Sequence, residues 1–219
     1  MKLGLIDKLD GFEIIRDQIA AILCLEVAHQ KELATAAGED PALWDLRIFT
    51  ERSNPSEDFR EGSLTPIINI WYAGTEFDYQ ASDTIERQKA MGSFNIDIYA
   101  AGESSATDEG HASADEVAAR NAQRALRLVR NILMSNTQTY LGLRGLVWSR
   151  RVQNVTTFQP DAADDMTQQI VGARVAFRVV FNEQSPQAET VPLELLSVKI
   201  KRAETGEILV NLEYDYNGE

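Results

Sequence analysis

The stretch VGARVAFRVVF, residues 171–181, decides the fold because its apolar and polar side chains alternate. Arg174 and Arg178 fall on one face of an extended chain. The opposite face is apolar and consists of Val171, Ala173, Val175, Phe177, Val179 and Phe181. A period of two residues is typical of a strand with one face in a core and the other toward water. The stretch therefore predicts a half-buried antiparallel strand.

Other runs of β-forming residues predict a sheet around this strand. Residues 44–49 and residues 94–99 alternate in the same way. Residues 67–72 are apolar enough to lie inside a sheet rather than at its edge. Residues 145–158 predict a further strand, which is entered through a glycine-containing connection.

Two segments carry the three- and four-residue apolar spacing of helices that bury one face. The first covers residues 10–37, with Asp10 as the candidate N-cap. The second covers residues 113–134, where Ser113 and Glu116 form a capping-box pattern. Each helix therefore has one face that must lie against the sheet.

Together these segments predict an α+β chain. It has a largely antiparallel sheet flanked by a long N-terminal helix and a second amphipathic helix, plus a C-terminal β-hairpin. The hairpin is expected at residues 193–216, where two alternating runs meet at Gly206. We expect residues 1–183 to form one domain and residues 184–219 to form a linker and the hairpin extension.

Two segments rich in small and polar residues predict surface loops, at 53–63 and at 101–112. The second contains no bulky apolar side chain and is expected to be mobile. The single cysteine, Cys24, excludes an intramolecular disulfide, and we expect its thiol to be buried as a small apolar group.

The composition favours a folded protein that does not bind nucleic acid tightly. Apolar residues make up 44% of the chain, and the formal net charge is −13. Affinity for nucleic acid depends on neutralising phosphates with Lys and Arg, so an acidic chain is a poor candidate. No secretory leader and no run of 18 apolar residues is visible, so a soluble protein of a reducing compartment is expected.

Few residues suggest catalysis or metal binding. The two histidines are His29, in the first helix, and His111, in the segment 101–112. His111 could share a cation with Asp108 and Glu109, which leaves a metal-dependent enzyme as an alternative, although no ordered calcium-loop spacing is present. No phosphate-binding glycine loop and no nucleophile motif occurs. We therefore expect no catalytic residue, no metal ligand and no cofactor.

The second helix gathers positive charge on one side. In SADEVAARNAQRALRLVR, residues 113–130, the apolar residues fall within one arc that must face the sheet. The opposite arc holds Arg120, Arg124, Arg127 and Arg130, with Val117 and Leu128 along its margin.

Arginines at three- and four-residue spacing repel by about 0.2–0.5 kcal/mol per pair. Only Arg120 has a carboxylate in a supporting position, namely Glu116. The others require carboxylates from elsewhere, either the chain's own acidic loops or another copy of the chain. The second alternative predicts a head-to-tail contact, which closes into a ring if the rotation closes.

Two segments carry a resemblance to a known family. They are ADEVAARNAQRALRLVRNIL, residues 114–133, and LVWSRRVQNVTTFQPDAADDMTQQIVGARVAFRVVFNE, residues 146–183. This order of helix, strand, acidic excursion and long alternating strand resembles the tail-terminator and neck proteins of tailed bacteriophages. The resemblance covers residues 1 to about 183.

The resemblance implies a non-enzymatic structural protein of the virion that assembles in the host cytoplasm. It implies a homohexameric ring that ends the tail tube and joins the tail to the head connector, with DNA passing through. The partners would be tail tube, sheath or connector proteins. Candidate channel-lining residues are Glu103, Asp108, Glu109, Asp161, Asp164 and Asp165.

The terminal hairpin leaves other functions open. It is larger than the family pattern requires, so the chain could be an adjacent collar component. In that case the hairpin would contact a sheath or collar protein or augment the sheet of a neighbouring subunit. An adaptor whose hairpin binds a single partner is a further alternative.

Overall fold

The computed structural model describes residues 7–78, 87–107, 110–160, 169–184, 195–201 and 208–215. The chain divides into two compact units. The larger unit is Lys8–Ser185, and it holds both helices and a five-stranded mixed sheet. The α+β fold class predicted from the sequence is confirmed.

Five strands form the sheet of the larger unit in the order β1-β2-β3-β7-β6. Their bounds are Arg47–Thr50 for β1, Ile67–Phe77 for β2, Arg87–Gly102 for β3, Val147–Phe158 for β6 and Gln169–Gln184 for β7. β1 and β2 pair in parallel, and the other three pairings are antiparallel. Because β2 lies between β1 and β3, its apolar run is interior to the sheet, as its sequence predicts.

The centre of the sheet is the antiparallel pair of β3 and β7. The two strands pair from Gly102 opposite Gln169 to Arg87 opposite Gln184. One face of this pair is apolar and fully buried, with Phe94 opposite Phe177. The alternation in residues 171–181 is thus confirmed as a half-buried antiparallel strand.

The first helix, α1, spans Gly11–Ala37 and packs on the apolar face of the sheet. Asp10 is its N-cap, and the Asp10 amide donates to the Glu13 carboxylate at 2.9 Å. Gly38 ends the helix at φ 74°, a left-handed conformation that glycine adopts without steric cost. Its buried side includes Ile15, Ile19 and Leu23.

The second helix, α2, spans Ala114–Met134 on the same face of the sheet, with Ser113 as its N-cap residue. The capping-box prediction is wrong in its hydrogen bonds, because the Ser113 side chain makes no cap bond to the helix. Its hydrogen bond goes to the Asp115 carboxylate, and this bond, together with a weaker one from the Glu116 amide, lowers the pKa of Asp115.

The start of α2 is fixed by a close approach to the end of β3. A Cβ added at Gly102 would lie 2.3 Å from the Ala114 carbonyl oxygen and 2.4 Å from the Ala118 amide nitrogen. Both contacts are with backbone, which cannot rotate away as a side chain can. α2 therefore lies so close to the end of β3 that only glycine fits at position 102.

The region before β2 differs from its prediction. Pro41–Trp44 is a short 3-10 helix, so β1 begins at Arg47 rather than at Trp44. The expected surface loop at 53–63 contains the 3-10 helix Pro55–Glu61, whose Phe59 is 1% exposed. Phe59 packs against the face of the sheet opposite the two helices. The segment 53–63 has no hydrophobic pattern that predicts a buried residue.

The segment 101–112 is also more regular than predicted. β3 continues to Gly102, and the residues after it form a small hairpin of β4, Ser105–Thr107, and β5, Gly110–Ala112. The prediction of an irregular loop is therefore wrong for these residues. Short strands of small residues lack the alternation that marks longer strands, which explains the error.

The second unit, Met1–Asp7 with Pro186–Glu219, contains the expected hairpin. β8, Leu195–Lys201, pairs antiparallel with β9, Ile208–Asp215. The turn residues around Gly206 lie outside the described residues. The predicted division at 183/184 lies close to the division after Ser185, but Met1–Asp7 fall in the second unit rather than in the larger one. The domain assignment stays a prediction.

Cys24 lies on the exposed side of α1, so the prediction of a buried thiol is wrong. Its helix neighbours still desolvate the sulfur in part, which raises the pKa of the Cys24 thiol. Among the described residues, neither α1 nor α2 combines the length and apolarity needed to cross a membrane.

We predict that Gly102→Ala destabilises the larger unit by about 1–3 kcal/mol, because the new methyl group forces α2 away from β3. The free energy of unfolding in urea measures the loss. Ser104→Ala, at an exposed position two residues later, serves as the control and should change that free energy by less than about 0.5 kcal/mol. Equal stability of the Gly102 variant and the wild type would contradict the close packing.

Candidate interface on the second helix

The outer side of α2 carries the four arginines as the sequence predicts. Arg120, Arg127 and Arg130 are exposed, and Arg124 is half-buried on one flank. The buried side of the helix is formed by small and branched residues, namely Ala118, Ala122, Ala125, Val129, Ile132 and Leu133. The helix thus separates an apolar side against the sheet from a cationic side directed away from it, which we call the arginine face.

Only one of these arginines has a carboxylate partner in the part of the chain that the structure describes. Arg120 forms an ion pair with Glu116 one turn earlier, as its spacing predicts. Arg124, Arg127 and Arg130 form no ion pair with any described residue. The acidic excess of the chain is therefore not used to neutralise this face within the described structure.

A groove of about 270 Å³ runs along the Arg124 flank of α2. Its other wall is the segment between α1 and β1 together with the residues just before β2. Two of its leucines are unusually exposed, Leu43 at 49% and Leu64 at 37%. Leu128, a predicted margin residue, is half-buried and lines the same groove, beside Arg124. Asp45, which pairs with Lys31, also lines the groove, so the arginine face adjoins a groove with both apolar and polar walls.

The other margin residue, Val117, is half-buried near the start of α2 and does not line the groove. The side chain of Val117 instead lies close to Gly102 at the end of β3. Leu128 and Val117 are thus separated by the structure. The first belongs to the groove and the second to the packing of the helix on the sheet.

A fifth arginine stabilises the end of α2. Arg150, in β6, donates hydrogen bonds to the carbonyl oxygens of Ser135 and Gln138, which follow the last helical turn. A cation at this end also interacts favourably with the helix dipole. Burial lowers the pKa of Arg150. Sequence spacing could not reveal this contact, because the partners lie in different elements.

The candidate channel-lining residues are described only in part. Glu103 is exposed and follows the last residue of β3. The remaining candidates lie outside the described residues, namely Asp108, Glu109, Asp161, Asp164 and Asp165. Their role in lining a channel stays a prediction.

The face of the sheet opposite the helices holds a charged cluster that the sequence analysis missed. Asp97 is 2% exposed and binds Arg174 through two hydrogen bonds of 2.6 Å and 2.8 Å. The same carboxylate accepts a hydrogen bond from the Trp71 indole at 2.9 Å. The Arg174 guanidinium also lies over the Trp71 and Phe158 rings, 5.1 Å and 5.6 Å from their centroids. The Arg174 guanidinium and the Trp71 indole thus both donate to the Asp97 carboxylate.

Burial raises the pKa of the Tyr99 hydroxyl, which lies beside this cluster, and the negative charge of Asp97 raises it further. Arg174 acts in the opposite direction, with a smaller effect. The hydroxyl therefore stays protonated in the folded protein at a pH where an exposed tyrosine ionises. Arg174 is held by Asp97, so the cluster is an ion pair with aromatic neighbours.

The histidines do not form a metal site with described residues. His111 is exposed in β5, and His29 is exposed on α1. Among the described residues, no group of three His, Cys, Asp or Glu side chains is close enough to hold a metal ion. The carboxylates proposed to act with His111 lie outside those residues, so the metal-site alternative remains an untested prediction.

Comparison of the sequence with known protein families gave no match, and a search of curated proteins gave none either.

We predict that Arg174→Met destabilises the protein by about 3 kcal/mol, because it leaves the Asp97 carboxylate buried without a cation. The double variant Arg174→Met with Asp97→Asn should recover a large part of that loss, because no buried charge remains. Urea unfolding of the two single variants and the double variant measures the coupling. Arg151→Met, at an exposed arginine on the neighbouring β6, is the matched control. Additive effects of the two changes would contradict the ion pair.

We predict that Tyr99 makes the free energy of unfolding fall as the pH becomes alkaline. The pKa of Tyr99 is raised in the folded state, so the unfolded chain loses its proton first, and the free energy of unfolding falls as the pH rises above about 10. Tyr99→Phe should reduce this alkaline fall. Urea midpoints at about pH 8 and about pH 11 provide the measurement, and an identical alkaline fall in Tyr99→Phe and the wild type would contradict the effect.

Proposed function

We propose that this chain is a structural protein that associates head-to-tail with copies of itself through the arginine face of α2. The observation that carries the proposal is the set of cations at Arg124, Arg127 and Arg130, which have no partner among the described residues of an otherwise acidic chain. Such a face repels a second copy of itself, so its partner must be a different surface. A contact between two different surfaces of one chain is the kind that builds rings.

The groove beside Arg124 supports the same proposal. Protein interfaces combine an apolar centre with a polar rim, and arginine is enriched in them. Leu43, Leu64 and Leu128 supply apolar surface, and the arginines supply a charged border. Charge at the border sets orientation and partner choice, while burial of the leucines supplies the affinity.

We further propose that the ring belongs to the neck of a tailed bacteriophage, where it ends the tail tube and joins the tail to the head connector. The family resemblance of residues 1 to about 183 supports this assignment, and the two-layer α+β unit is compatible with it. A net charge of −13 suits a ring through which DNA passes without adhering. Electron microscopy of the purified protein mixed in turn with tail tubes, with sheath and with head connectors tests the assignment. Density at the tube end supports a terminator, and density confined to sheath or connector supports a collar component.

We predict that Arg127→Glu weakens self-association at least about tenfold while changing the free energy of unfolding by less than about 0.5 kcal/mol. The cause is the loss of a cation from an exposed position that makes no described ion pair. Sedimentation velocity over a concentration series measures the association.

Arg151→Glu is the control because it makes the same charge change at an exposed position in β6. It should leave association unchanged. Equal weakening by the two variants would show a general effect of net charge rather than a contact at the arginine face. A wild-type protein that stays monomeric at its highest soluble concentration, both alone and with tail tubes, would overturn the proposed function.

A further inference from the structure

The middle of the solvent side of α1 is apolar, between the exposed carboxylates of Asp17 and Glu32. Ala21, Cys24, Leu25 and Ala28 are exposed on one side of the helix, and we call this surface the α1 stripe. Leu25 is 73% exposed, although a leucine at that position gains nothing from contact with water. The middle of an exposed helix face normally carries charged residues. The stripe therefore has the composition of a covered surface.

Negative charge lies next to the stripe. Glu32 follows Leu25 by seven residues, so both point to the same side of α1 about 10 Å apart. Glu32 is exposed and forms no ion pair with any described residue. Glu39 and Asp40, just beyond the helix, are exposed as well. The stripe thus pairs an apolar centre with an acidic end.

The arginine face and its groove are complementary to this surface. The groove offers apolar walls at Leu43, Leu64 and Leu128, and its volume of about 270 Å³ is larger than a leucine side chain. Arg120 lies eight residues, about 12 Å, from Leu128, which is close to the span of about 10 Å between Leu25 and Glu32, and Arg124 lies between them. Leucine can therefore enter the groove while the carboxylate reaches the arginines.

We propose that the partner of the arginine face is the α1 stripe of a second copy of this chain, with Leu25 in the groove and Glu32 against the arginines. This inference rests on the proposed self-association and specifies which surfaces meet. Two arginine faces repel each other, and they cannot pair. The surfaces lie on different helices, so the contact is heterologous and leaves both surfaces of a pair available for further copies.

Two substitutions at one position test the contact. Leu25→Glu and Leu25→Arg remove the same apolar side chain from an exposed site but add opposite charges. Against an arginine face, Leu25→Arg should weaken association at least about tenfold more than Leu25→Glu. In the Arg124→Glu, Arg127→Glu background this order should reverse. Sedimentation velocity measures association, and urea unfolding verifies that each variant folds as the wild type does.

Leu9→Glu and Leu9→Arg form the matched control pair, because Leu9 is 64% exposed and lies outside the stripe. Equal effects of the two charges at Leu25, or no effect of either, would overturn the inference while leaving the proposed self-association intact. Equal loss with both charges is the expected result if two stripes pair with each other. Failure of the wild type to associate would overturn both proposals.

The single native cysteine provides a second measurement. Cys24 lies on the stripe, and Gln123→Cys places a thiol on the arginine face without removing a cation. A short bis-maleimide reagent should join Cys24 of one copy of the Gln123→Cys variant to the introduced thiol of the next copy and give products longer than dimers. Thr157→Cys, exposed on β6, is the control. Dimers alone, or dimers of the wild type through Cys24, would overturn the heterologous contact.

Discussion

The antiparallel pairing of β3 with β7 is the constraint on which the rest of the structure depends. These strands pair along their full length and lie between β2 and β6 in the sheet. Their apolar face is covered because moving its phenylalanine, valine and isoleucine side chains out of water is favourable. These side chains are buried in the fold. Both helices lie on that face, and their remaining sides are consequently the ones directed outward.

The two faces of the sheet are stabilised by different forces. On the helix face, burial of apolar side chains dominates. On the opposite face, the Asp97 carboxylate is held by Arg174, Trp71 and the environment of Tyr99. Removing charges from water is costly, so such a pair adds less to net stability than its short bonds suggest. The Asp97 cluster also holds β2, β3 and β7 in register at one point, because a slip of one residue would separate Asp97 from Trp71 and Arg174.

The outer sides of the two helices differ in a manner that monomer stability does not require. α2 presents arginines, three of which lack partners among the described residues, and α1 presents exposed alanines and Leu25. Repulsion among arginines and exposure of leucine each cost free energy in an isolated chain. Contact between these two surfaces in neighbouring copies removes both costs together, and it is the physical basis of the proposed assembly.

The sequence by itself determined the helices, the central strands and the arginine face, because side-chain periodicity is a local property that burial of one face imposes on the chain. It did not determine the short 3-10 helix that buries Phe59 or the small β4–β5 hairpin, since neither is long enough to show a period. The exposure of Cys24 could have been read from the period of α1, because Cys24 falls outside the arc of Ile15, Ile19 and Leu23. The groove beside Arg124 was decided by tertiary structure. It depends on which distant segments lie alongside α2, and the spacing of residues within one segment carries no information about its neighbours in space.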